Sequence, residues 1–189
     1  MTVFRCFLFL LAALLASLPA VAAAQDAPER AITQIAGDVY RFQNQFHYAT
    51  FLVTDEGIVA TDPINPDAAT WLKAQLKERF GKTVRYLIYS HDHADHIAGG
   101  EVFADTATVI AHENAYRHIV DEDRPTAVPD VTFSDRMTLR LGGKTVELVY
   151  LGRNHGDSSI VTVFRDARVA FAVDFVTVDR LPYRDLPNS

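Results

Sequence analysis

The segment HDHADH places His91, His93, Asp95 and His96 within six residues. Imidazole nitrogen and carboxylate oxygen together hold borderline divalent metals; the set suits zinc above all, and iron or manganese are also compatible. While a backbone stays extended, residues two apart point the same way, so His91 and His93 can reach one ion. Asp95 and His96 follow where the chain turns, facing a second ion or completing the first shell. The bland alternative is a surface loop that is histidine-rich by accident. With seven histidines in 189 residues, such a dense pattern seldom arises by chance, and the metal reading is preferred.

The motif follows the apolar run VRYLIYS (84–90), which reads as a buried strand too short for an ordinary helix. A strand ending in a ligand-bearing loop gives the donors a rigid base. Upstream, residues 25–37 read as a polar lead-in, 38–46 and 48–53 as strands, and 58–61 as a strand ended by Asp62. Asn65 and Pro66 then start a helix as cap and first helical residue, with Leu72, Leu76 and Phe80 at helical spacing and Gly81 as its stop. This helix is expected to pack on the first sheet, and Trp71 to belong to the core. Downstream, 108–112 reads as a strand, 113–120 as a short helix, and Asp121–Pro129 as a charged, proline-broken loop, the expected flexible segment near a substrate. A second sheet is expected from 131–133, 137–141, 144–151, 160–164 and 168–173, with Gly142–Gly143 turning one hairpin.

His155 and Asp174 each lie just beyond a predicted strand, as the HDHADH cluster does, so one rim of a sandwich could gather all six residues. His47 falls in a loop between early strands and reads as a solvated loop histidine or a substrate contact. His112 and His118 lack ligand spacing and read as structural. Ser158 and Ser159 sit near His155, but no G-x-S-x-G elbow surrounds either, which gives a serine nucleophile little support.

HDHADH, the apolar strand before it and Gly99–Gly100 after it resemble the His-x-His-x-Asp-His signature of the metallo-beta-lactamase superfamily, over roughly residues 32–176. The resemblance implies an α/β fold, an αββα sandwich. It also implies His155 as the third histidine of a first metal shell with His91 and His93, and Asp174 as a carboxylate bridging to a second metal held by Asp95 and His96. Asp62 matches an aspartate that orients a ligand from behind, a role consistent with the second N–H of a metal-bound histidine needing an acceptor; on residues alone it reads equally as a turn aspartate before Pro63. Family members supply a further histidine to the second metal well beyond the bridging aspartate. No histidine follows His155 and fifteen residues follow Asp174, so the C-terminal part of the fold is expected to be missing and the second position to lack its last donor. The implied activity is hydrolysis of an ester, thioester, lactone or amide carbonyl by a metal-bound hydroxide, with Asp95 orienting the nucleophile or accepting its proton. Two alternatives stand beside it: a true β-lactamase of the histidine-only metal type, and a metal-binding protein without turnover.

Residues 1–24 read as a secretory signal peptide, with Arg5 at the charged start, FLFLLAALLASL as the apolar middle and Ala22–Ala24 as the cleavage site. That implies a periplasmic or secreted protein with no membrane attachment after cleavage. Cys6 leaves with the peptide, so 25–189 is free of cysteine and of disulfides and has the length of one domain. The formal charge of −6 and the lack of a Lys/Arg run argue against nucleic acid, and the partner expected from the hydrolase reading is a small-molecule substrate.

Overall fold

Seven strands form the first sheet in simple sequence order: β1 (Arg30–Ala36), β2 (Val39–Asn44), β3 (His47–Thr54), β4 (Gly57–Thr61), β5 (Val84–Ile88), β6 (Thr108–His112) and β7 (Val131–Phe133). This computed structural model describes residues 28–176, so the expected signal peptide lies outside the described residues. β1 to β4 form an antiparallel meander, whereas β4 to β7 run parallel. Parallel neighbours need a crossover. The crossovers here carry the helices α1 (Pro66–Phe80), α2 (Ala94–Ile97) and α3 (Glu113–Asp121), with a 3-10 turn at Gly100–Phe103. The second sheet is antiparallel, in the order β11-β10-β9-β8, from β8 (Arg136–Leu141), β9 (Lys144–Tyr150), β10 (Ile160–Phe164) and β11 (Val169–Phe171).

Two apolar layers hold these elements. Leu72 and Leu76 of α1, with Ile119 of α3, pack against Phe42, Phe51, Ile58, Ala60 and Leu87 on one face of the first sheet. Val39, Leu52, Val59, Ile88 and Ile110 on its other face meet Val146, Leu148, Ile160 and Phe164 of the second sheet. β4 is therefore buried at every position, as a strand covered on both faces must be. Each fully buried Leu or Ile contributes about 1.5–3 kcal/mol of burial, so this double coverage fixes β4 and β5 firmly. The α1 signals act as their chemistry requires. Asn65 accepts from the Ala68 amide at 2.9 Å, Pro66 opens the helix, and Gly81 closes it at φ 64.

The structure departs from the sequence reading at four places. Residues 30–36 are not a polar lead-in but the edge strand β1; it is half-buried to exposed along its length, so its apolar alternation is weak. The 131–133 strand joins the first sheet beside β6, not the second. The last strand is three residues long, Val169–Phe171. The 121–129 loop, expected to be free, is pinned to the interior. The Tyr89 hydroxyl donates to the Ala127 carbonyl at 2.9 Å, and the Thr126 hydroxyl donates to the Ile97 carbonyl at 2.6 Å. Among the described residues, no helix is long and apolar enough to cross a membrane.

Candidate metal centre

Strand direction determines which loops meet. The C-terminal ends of β4 and β5 and, because β3 runs antiparallel to β4, the N-terminal end of β3 lie at one rim of the first sheet. In the second sheet, Tyr150 pairs with Ile160 and Thr162 with Phe171, so the end of β9, the start of β10 and the end of β11 share a rim too. The Ile160 amide donates to the Ser90 carbonyl at 2.8 Å, joining the two rims. The junction brings together Asp62, the HDHADH loop, His155 and Asp174. It also brings in His47, which is the first residue of β3 and not a loop residue.

The donor atoms fall into two groups. His91, His93, His155 and Asp174 each offer one atom within 4.8 Å of the others, and so do His47, Asp95 and His96. Ligand atoms 2.0–2.1 Å from a tetrahedral zinc lie about 3.3 Å from one another. The observed separations cluster around that edge length. His93 Nδ1 is 3.1 Å from His155 Nε2, and Asp174 Oδ2 is 3.6 Å from both His91 Nε2 and His155 Nε2. The same Asp174 oxygen is 3.1 Å from His96 Nε2, so this carboxylate stands between the groups. Its backbone holds φ 67, a left-handed conformation that turns the chain at the end of β11.

Asp62 organises the imidazoles from behind. It is fully buried and holds φ 32, a strained value kept by its own hydrogen bonds. Its Oδ1 accepts from the Ser90 amide at 2.8 Å and its Oδ2 from the Ser90 hydroxyl at 2.6 Å. His96 Nδ1 lies 3.0 Å from the same Oδ2, and His91 Nδ1 lies 2.9 Å from the Ser90 oxygen. Since the serine proton goes to Asp62, His91 must donate to Ser90, which assigns its proton to Nδ1 and leaves Nε2 bare. That Nε2 is buried and has no hydrogen-bond partner. A buried bare nitrogen facing a carboxylate is costly unless a cation lies between them, so the donor set fits a divalent metal. Gly99 and Gly100 allow the approach that builds this arrangement. A Cβ at Gly99 would sit 2.6 Å from the Asn65 carbonyl oxygen, and one at Gly100 would run into the Tyr89 hydroxyl.

The charges point the same way. Burial, with the neighbouring His96, pushes His91 down to about 4. Burial would lower His96 as well, but its hydrogen bonds and charge pairing with Asp174 and Asp62 prevail and raise it to about 10. Burial raises Asp174, yet His96 and the other imidazoles outweigh it and bring the carboxyl to about 2. Two carboxylates against one imidazole require positive charge here.

A third set, Asp92, His118 and Asp157, lies alongside and escaped the sequence reading, which treated His118 as structural and passed over Asp92. Asp92 is already satisfied: the Ser158 hydroxyl donates to it and Arg124 pairs with it at 2.8 Å. His118 pairs with Asp157 at 2.9 Å and Glu122 at 3.4 Å. These residues, with Arg153, line a polar cleft of about 360 Å³ that opens beside His93. His112 is structural, donating toward the Ser134 carbonyl and capping α3. Ser158 and Ser159 are buried and not disposed as nucleophiles.

A profile of the metallo-beta-lactamase superfamily matches residues 37–188. The chain belongs to that superfamily. Among solved structures, it resembles a metallo-beta-lactamase from Pontibacter korlensis with TM-score 0.68 and 22% identity over 76% of this chain and 71% of that one. A metallo-beta-lactamase from Hirschia baltica aligns with TM-score 0.63 and 16% identity over 76% and 70% of the two chains. These likenesses establish the metallo-beta-lactamase fold. In sequence, the chain is 28% identical over 154 residues to the 2,4-dinitroanisole O-demethylase subunit alpha of Nocardioides sp. (strain JS1661), covering 79% of this chain. It spans about half the length of that curated relative, 47%. Superfamily membership together with the two donor groups supports binding of divalent metal.

Proposed function

We propose that the chain carries the catalytic centre of a zinc-dependent hydrolase acting, outside the cytoplasm, on an ester, thioester, lactone or amide carbonyl of a small molecule. His91, His93 and His155 would hold the first ion, Asp95 and His96 the second, and Asp174 would bridge them. The observation that carries this reading is the bare, buried Nε2 of His91 set against the Asp174 carboxylate. Export is supported by the signal-like segment 1–24. When bound, the metal supplies Lewis acidity and lowers the pKa of water toward ~7.

The protein groups do the rest. Asp62 and Ser90 hold His91 and His96 in the tautomers that direct Nε2 inward. Burial raises the Asp95 carboxyl, but hydrogen bonding from His47 and the charge of His96 bring it below the usual carboxylate range. It is therefore ionised and a weak base, better suited to orienting an attacking water than to storing its proton. The cleft beside His93 offers Arg153 on its wall to a polar or anionic substrate group.

The O-demethylase relative favours a second reading: hydrolysis of an electron-poor aryl methyl ether, in which water and ether give a phenol and methanol. Metal analysis of the whole chain, with a panel of nitrocefin, a thioester, a lactone and 2,4-dinitroanisole, tests both. Turnover of an acyl substrate supports the first reading and dinitroanisole cleavage the second. Metal uptake with no turnover on any of them would leave a metal-binding protein.

A further inference from the structure

The second donor group contains a histidine from the opposite end of the chain. His47 opens β3, paired across the hairpin with Asn44, whose buried side chain accepts from Arg30 Nε at 2.8 Å. Gln45 turns the hairpin at φ 56, so the backbone that carries His47 is fixed on both sides. The imidazole is fixed as well. The Phe46 ring packs against it with centroids 4.7 Å apart, and it meets His96 edge-on at 5.7 Å. Its Nε2 is thereby aimed at Asp95 Oδ2, 3.1 Å away.

Two explanations of that 3.1 Å contact compete. A hydrogen bond from imidazole to carboxylate spans about 2.7–3.2 Å, so 3.1 Å lies at its long end. Two donors sharing a cation would lie about 3.3 Å apart. The rest of the group resembles the second case. Asp95 Oδ2 is 3.8 Å from His96 Nε2, and Asp174 Oδ2 closes the set at 3.1 Å from that nitrogen. Three donor atoms, two nitrogens and a carboxylate oxygen, lie within 4.8 Å of one another, and the Asp174 oxygen beside His96 offers a fourth, the number a tetrahedral ion takes. The carboxylates of Asp95 and Asp174 supply the negative charge, and Asp62 orients His96 behind it.

We propose that His47, through Nε2, is a ligand of the second divalent cation, held with Asp95 and His96 and shared with the first through Asp174. The inference rests on the metal-hydrolase reading above and moves His47 from the margin of the substrate site into the metal shell. The second position then has two imidazoles drawn entirely from the described residues.

Titration of the whole metal-free chain with cobalt(II), followed by calorimetry and by the visible absorption of the bound ion, tests it. The parent chain should take up two ions. His47→Ala should keep the first uptake event, which also reports that the variant is folded. Its second event should weaken on the order of a hundredfold, because loss of even an outer partner of a ligand costs about 10–100-fold. His47→Gln separates a ligand from a positioning residue, since glutamine can still donate an N–H to Asp95 but offers no imidazole nitrogen. It should fail to restore the second event, and the absorption assigned to that ion should not return. Full second-site affinity in His47→Gln, or two unchanged events in His47→Ala, would overturn the proposal while leaving the metal-hydrolase reading intact. A parent chain that takes up no cobalt would overturn both.

Discussion

Two clusters of the same residue types lie side by side on one rim, and only one of them leaves a buried donor nitrogen without a hydrogen bond. His91, His93, His155 and Asp174 turn ring nitrogens and a carboxylate toward one another, with His91 Nε2 lacking a hydrogen-bond partner. Asp92, His118 and Asp157 present similar atoms, but Arg124, Ser158 and Glu122 already occupy them. Asp92 even stands between two members of the first cluster in the sequence. The difference is not the inventory of donors but which lone pairs the protein leaves unsatisfied. A guanidinium neutralises Asp92 from within the fold; the charge demand of the first cluster is left for an external cation.

The strongest way to break this contrast is His91→Ala. If the bare Nε2 holds the first ion, the variant should lose the tight metal-binding event and essentially all hydrolysis. Metal analysis and rate measurement on the purified chain check it, and full metal content would end the assignment. The neighbouring Asp62–Ser90 and Asp62–His96 bonds do not involve the His91 ring.

Acidity separates the two proposed ion positions more finely. His91, pushed down to about 4, is already neutral at pH 7, so an ion displaces no proton from it there. His96, raised to about 10 by Asp174 and Asp62 against the effect of burial, must give up a proton before its Nε2 can coordinate. Acid competes with metal for the same lone pair, so affinity at the second position should rise with pH until His96 has lost its proton. His91 should cost the first position nothing until the pH nears 4. Calorimetry in buffers of different ionisation enthalpy should record about one proton released with the second ion. Equal pH slopes for both events would show that His96 is not a ligand.

Much of this was readable in the sequence wherever the signal was local. His91, His93, Asp95 and His96 lie within one turn of chain, and the Asn65, Pro66 and Gly81 signals bracket α1 because capping is decided by a few neighbouring atoms. His155 and Asp174 needed the family resemblance, since nothing local distinguishes a rim residue from any loop residue. The sequence reading places His47 in a loop, and its nearness to Asp95 depends on strand direction across 48 positions. The antiparallel β3–β4 pair followed by parallel β4–β5 puts the start of β3 on the motif's rim, and that reasoning was available once pairing was known. Pairing itself is non-local, which is also why sequence alone does not reveal the edge strand β1 or the place of β7 beside β6. The 121–129 loop looked free because its composition is polar; the buried Tyr89 and Ile97 contacts that tie it down come from distant segments.

The smallest effect is expected on the other side of the comparison, at His118. Burial lowers its affinity for a proton, but the hydrogen bonds to Asp157 and Glu122 and the charges of Asp92 and Asp157 outweigh this and raise it above the ordinary histidine value. A group whose pKa is higher in the folded state adds stability that is complete below its unfolded pKa, near ~6.5, and is lost as pH rises through the folded value. The side chain is 37% exposed, so solvent screening should hold the contribution under about 1 kcal/mol. Chemical denaturation should therefore find His118→Gln slightly less stable than the parent near pH 5.5, with the gap closing by pH 9. Metal stoichiometry should not change, because Arg124 and Ser158 keep Asp92 engaged whether or not His118 is present. If His118→Gln lost one bound ion instead, the satisfied cluster would be a metal site after all, and unsatisfied lone pairs would no longer distinguish the two.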